Sequence, residues 1–158
     1  MKNTIQLWFF ISSGVIFLYA NSANSASLTT ELDLSFGTFA VINNTTTSDI
    51  RITMAGSTIP TNHIAILNPG HIGEYTLHDD FAFTEIFTTV NIVSSETTSS
   101  LPSSAQLTLV AVETEFSVTT DASGDATIIV GGTLRTSGDG ATYTNTTYSA
   151  VINFDISY

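Results

Sequence analysis

From Tyr148 to Tyr158 the chain reads YSAVINFDISY, apolar and polar side chains alternating with a period of two. Tyr148, Ala150, Ile152, Phe154, Ile156 and Tyr158 fall on one side of an extended strand. Ser149, Asn153, Asp155 and Ser157 fall on the other, with Val151 the single apolar exception. A helix would scatter the six apolar residues around its circumference, so this period predicts a strand with one buried and one wet face. No stretch elsewhere carries the i, i+3, i+4, i+7 stripe of an amphipathic helix. Thr, Ser, Val, Ile and Phe dominate while Lys, Arg and Gln are scarce, which favours strands along the rest of the chain.

Seven further runs read as strands: LTTELDLSFGTFAVI (28–42, broken near Gly37), DIRITMA (49–55), HIAILN (63–68), EYTLHD (74–79), FAFTEIFTTVNIVSS (81–95), AQLTLVAVETEFSVTT (105–120) and ATIIVGGTLRT (126–136). Between them lie NNTTTS, AGSTIPTN, NPGHIG, SSETTSSLPSS, TDASGD and SGDGAT, which are turn sequences rich in Gly, Pro, Asn, Asp and Ser. Short strands at such spacing predict an all-β fold, an antiparallel β-sandwich, with a barrel as the alternative. Gly131-Gly132 lacks the lysine and following helix of a phosphate loop, so a bulge or bend inside a strand is expected there.

Residues 1–26 read as a signal peptide and 27–158 as one domain. Met1-Lys2-Asn3 gives a positive start, Leu7 to Leu18 is an apolar run short for a bilayer span, and NSANSA offers small residues for cleavage. The expected mature chain is exported to the periplasm, cell surface or medium, with no membrane span after cleavage. Losing Lys2 moves the formal charge from −11 to −12, because all 14 acidic residues lie downstream and only Arg51 and Arg135 remain basic. Nucleic acid is then a poor partner, since phosphate binding depends on Lys and Arg. The chain has no cysteine, which excludes disulfides, thiolate metal sites and cysteine nucleophiles.

Residues that could carry chemistry are few. His71, Glu74, His78, Asp79 and Asp80 lie close in sequence and belong to types that ligate divalent ions, but their spacing matches no metal motif, and His63 stands apart. Asp121 to Asp125 and Ser137 to Gly140 bring carboxylates to Gly-rich turns without the six or more oxygens that calcium needs. No G-x-S-x-G elbow occurs, and scattered Ser, His and Asp do not make a triad. No metal, no cofactor and no enzymatic activity are expected. Asn43, Asn44 and Asn145 fit the N-glycosylation pattern, which matters only in a eukaryotic host.

The two chain ends carry a resemblance. LDLSFGTFAV (32–41), IIVGGTL (128–134) and the closing YSAVINFDISY resemble signature segments of the domain of unknown function 4402 family of exported bacterial proteins. Both ends are also similar to pilin-type subunits of chaperone–usher systems, above all the spore-coat-U type. The chain departs from the family at Thr146 and Ala150, where glycine is common, and only SLTTELD stands before LSFGTF. The resemblance implies an immunoglobulin-like sandwich with an incomplete sheet edge, completed first by a periplasmic chaperone and then by a neighbouring subunit. On that reading the assembly edge is Tyr148, Ala150, Ile152, Phe154, Ile156 and Tyr158, and the candidate donor or first strand holds Leu28, Leu32, Leu34 and Phe36. Its partners would be copies of itself or other pilin-like subunits. The alternative is a self-complete secreted sandwich that binds a glycan or a surface protein, with its N-terminal strand paired inside its own sheet.

Overall fold

The structure is a computed structural model that describes residues 4–7, 26–78, 81–99 and 105–157, with the backbone path alone for 4–7, 98 and 99. Most of the segment read as a signal peptide, together with Asp79, Asp80 and Tyr158, lies outside the described residues. The described chain is all-β. Its strands are β1 (Thr4–Leu7), β2 (Ser27–Leu32), β3 (Thr38–Val41), β4 (Asp49–Ile52), β5 (Thr58–Pro60), β6 (Ile64–Asn68), β7 (Gly73–His78), β8 (Glu85–Ser99), β9 (Thr108–Thr114), β10 (Ser117–Thr119), β11 (Asp125–Arg135) and β12 (Thr146–Ser157).

They form a β-sandwich. One layer runs β10-β8-β12-β1-β3-β6, and the other is built on β11, flanked by β9 along one edge and by β7 then β4 along the other. β2 closes the second layer outside β7, and β5 closes it outside β4. Every described pairing is antiparallel except that of β1 with β12. The layers meet at one corner, where Glu96 near the end of β8 pairs with Thr108 of β9.

Alternation along β12 and β7 fills the space between the layers. Tyr148, Ala150, Ile152 and Phe154 face inward from β12, and Tyr75 and Leu77 from β7. The Tyr75 and Phe154 rings meet edge to face across the sandwich, with centroids 4.7 Å apart. Burial pushes the Tyr75 hydroxyl up to about 12.

Several stretches depart from the sequence reading, among them Phe81–Thr84, expected as the start of a strand but a turn before β8 in which Phe83 has φ of 56°. AGSTIPTN, expected as a turn, contains β5, and the SSETT of the expected loop is the end of β8. In both places backbone pairing with a neighbouring strand decides the conformation, and Ser and Thr do not oppose it. The expected single strand over 105–120 is broken at Glu115 and Phe116, where the chain stops pairing with β11 as β9 and begins pairing with β8 as β10. At Gly131, β11 exchanges β7 for β4 as its neighbour. A Cβ there would stand 2.5 Å from the Ile52 carbonyl oxygen, so close backbone approach explains the glycine. The register shift itself falls between Thr133 and Leu134.

Gly37, inside the LSFGTF segment, has φ of 75° and packs on the Pro69-Gly70 turn. A Cβ at Gly37 would lie 2.3 Å from the Asn68 carbonyl oxygen. Glycine is thus the residue that lets the chain swing from Leu34 and Phe36, both in the core, into β3.

Candidate assembly edge

β12 and β3, the last strand and an early one, lie in the same layer but do not pair with each other; each pairs with β1 in the one-strand gap between them. On the β12 side the register is parallel, with Ile5 opposite Thr146, Gln6 opposite Thr147 and Leu7 opposite Tyr148. On the β3 side it is antiparallel, with Thr4 opposite Ala40, Ile5 opposite Phe39 and Gln6 opposite Thr38. The walls of this slot present buried side chains: Phe39, Ala40 and Val41 from β3, and Tyr148 from β12. Beyond Tyr148, the inward side chains of Ala150, Ile152, Phe154 and the half-buried Ile156 continue the wall. Among the described residues, no strand pairs with the β12 edge that faces away from β8 between Ala150 and Ser157. Tyr158, the last residue of the expected edge, lies outside the described residues.

The start of β12 is held rigidly. The Thr144 N–H donates to the Tyr148 hydroxyl at 3.2 Å, and that hydroxyl donates back to the Thr144 carbonyl at 3.3 Å. The Tyr143 hydroxyl accepts from the Ser137 N–H at 2.7 Å and donates to the Gln106 carbonyl at 3.3 Å. Behind them Asn44, buried, ties down the 137–141 loop. Its side-chain amide donates to Ser137 Oγ, Asp139 Oδ1 and the Ala141 carbonyl, and its Oδ1 accepts from the Gly138 N–H. Asn44 is therefore a structural residue, whereas Asn43 beside it is exposed. On the wet side of β12, Asp155 accepts from the Asn91 amide at 2.5 Å.

The four residues expected to form one donor or first strand separate into two pairs. Leu34 and Phe36 are fully buried, and Ser35 between them bridges His71, so they belong permanently to the core. Leu28 is half-buried and Leu32 is 40% exposed on β2, which pairs with β7 from Ser27 opposite His78 to Leu32 opposite Glu74. This corrects the expectation of a single donor or first strand: the apolar residues look alike in sequence, but only Leu28 and Leu32, before Asp33, lie on the edge strand β2. β2 is also tied to β7 and β11 through side chains. Thr29 Oγ1 lies 3.1 Å from His78 Nε2, and His78 Nδ1 lies 2.7 Å from Asp125 Oδ1.

Of the polar residues singled out for metal chemistry, Asp79 and Asp80 lie outside the described residues and the others do not converge. His71 Nδ1 contacts the Ile72 carbonyl, His78 bridges Thr29 and Asp125, and His63 sits at the turn into β6. Among the described residues, no group of three or more His, Cys, Asp or Glu side chains is placed to hold a metal ion. The Asp121 carboxylate accepts from the N–H groups of Ser123 and Asp125, which hold it below the usual carboxylate range; this is an Asx turn. A cleft of about 270 Å³ beside β2, lined by Thr30 to Ser35 and His71, contains Asp33, whose carboxyl is raised by burial against the opposing pull of His71.

Sequence reasoning missed Thr4–Leu7 and the β3 wall. The signal for the first was present in the alternation of Ile5 and Leu7 across Gln6, but that segment reads first as part of an export leader. No protein-family model matches the chain, and no curated protein matches it.

Proposed function

We propose that the protein is an exported, non-enzymatic subunit, structural or adhesive, that joins its neighbours by β-strand complementation in the slot between β3 and β12. The observation that carries this reading is the one-strand gap itself, occupied by Thr4–Leu7, residues that lie in the segment expected to be removed on export. A mature chain without them leaves β12 and β3 with unpaired backbone groups and the buried Phe39 and Tyr148 beside an open edge. An incoming strand would restore those hydrogen bonds, and each large apolar side chain it buried would contribute roughly 1.5–3 kcal/mol. The likeness of the chain ends to pilin-type subunits supports the same reading, with a periplasmic chaperone as the first partner and copies of this chain or related subunits as later ones. On this reading the donor is β2, which has to leave β7 to act, and it stops at Leu32 because Leu34 and Phe36 are core.

One observation favours the self-complete binding module instead: β2 pairs within its own sheet. Exported material decides between them. A strand-complemented subunit gives multimers that resist detergent until heated, and a peptide copying Ser27–Leu32 raises the thermal midpoint of the monomer. A processed chain that stays monomeric at every concentration and ignores the peptide refutes complementation and leaves the binding module.

A further inference from the structure

The slot is filled from within. Thr4–Leu7 lies between β12 and β3, hydrogen-bonded in register with both, yet it belongs to the segment that reads as the export leader. A leader that serves only to engage the export machinery needs apolar length; it has no need of alternation. Here the alternation is present. Ile5 and Leu7 stand level with the buried Phe39 and Tyr148, while Gln6 stands level with Thr38 and the exposed Thr147. That is the pattern a strand needs when one of its faces closes a core.

We propose that the leader is the first occupant of the slot: in the unprocessed chain it completes the sheet in cis, and its removal opens the edge to a second strand. This rests on the strand-complementation reading and adds its regulation. Processing then does more than release the chain, because it converts a closed sandwich into one that must acquire a strand. The linkage is long enough, since the 20 residue steps from Leu7 to Ser27 can span on the order of 65 Å. The rival cis occupant is β2, and it is already engaged on β7.

The chain has no cysteine, so a designed disulfide reports on the pairing without background. In the full-length chain, produced without processing, Gln6→Cys with Thr147→Cys joins two positions that are direct register partners. Gln6→Cys with Asn153→Cys is the control, its second site displaced by six residues, or roughly 20 Å, along β12. In a glutathione buffer the first pair should form an intramolecular disulfide at least roughly ten-fold faster than the control. Adding Ile5→Asp and Leu7→Asp should abolish that difference. Equal rates for the two pairs overturn the proposal, as does a disulfide that survives the two aspartates. A disulfide that links two chains places the leader in another copy and overturns closure in cis. The two readings also fail separately. A processed chain that assembles while the unprocessed chain gives no internal disulfide keeps complementation and removes the leader's role. An internal disulfide in a chain whose processed form stays monomeric keeps the leader in the slot and removes assembly.

Discussion

Phe154 is the most direct probe of the β12 inner face. It is 8% exposed, and its ring meets that of Tyr75 edge to face at 4.7 Å, so it joins the two layers. Truncation to alanine should cost about 3–5 kcal/mol, the range for large aromatic deletions in a core. The lost ring pair accounts for about 0.5–1.5 kcal/mol beyond area burial. Phe154→Asp should cost more, because the same loss is joined by the desolvation of a carboxylate that neither described arginine is free to offset. Both arginines are already paired elsewhere, Arg51 with Glu113 and Arg135 with Asp49. With a urea slope of about 2 kcal/mol per molar, the alanine variant of the full chain should unfold about 2 M earlier. Asp155→Ser, one position along on the wet face, removes an exposed hydrogen bond to Asn91 and should cost under about 1 kcal/mol. Equilibrium unfolding followed by far-UV circular dichroism measures all three. A Phe154→Ala midpoint indistinguishable from that of Asp155→Ser would refute the inward orientation of this strand and, with it, the slot wall.

Asn44→Ala should lower stability by about 2–4 kcal/mol, because it strips a buried amide of four hydrogen bonds that fix the 137–141 loop; thermal unfolding reads this out, and a neutral result counts against the anchor of β12. Asp139 is held below its ordinary value of 3.8 by Ser137 Oγ and the Ala141 N–H. Its folded-state pKa is depressed, so its contribution is present above 3.8 and lost as pH falls through the folded value: Asp139→Asn should lower the thermal midpoint at pH 7, and the gap to the native chain should close only in acid. Gly37→Ala combines a left-handed backbone with a 2.3 Å approach to Asn68 and should destabilise by more than about 1 kcal/mol in denaturant titration. Intact-mass measurement of exported material should show loss of residues 1 to about 23 or 26, and recovery of a full-length chain would overturn the leader reading.

How much of this was legible in the sequence follows from what side chains encode. The inner face of β12 could be read residue by residue, because alternation of Tyr148, Ala150, Ile152 and Phe154 against Ser149, Asn153 and Asp155 has one geometric solution. Leu28 and Leu34 could not be told apart. Both are leucines on alternate positions, and what separates them is the close approach of the 35–37 backbone to Gly70, which fixes Leu34 in the core and leaves Leu28 on an edge. The tail of β8 looked like a loop for a related reason: its Ser and Thr side chains say little, while its backbone is claimed by β12 and β9. A strand is recognised by which face its side chains bury, but it is paired through N–H and C=O groups that nearly every residue shares. Sequence therefore specifies the faces of this sandwich far better than its edges. The gap between β3 and β12 is an edge property, bounded by strands whose faces read correctly and filled by residues whose composition argued for export. The observed pairing of Thr4–Leu7 and the export role proposed for the segment around it are compatible, since a segment apolar enough to act as an export leader is also apolar enough to close a core.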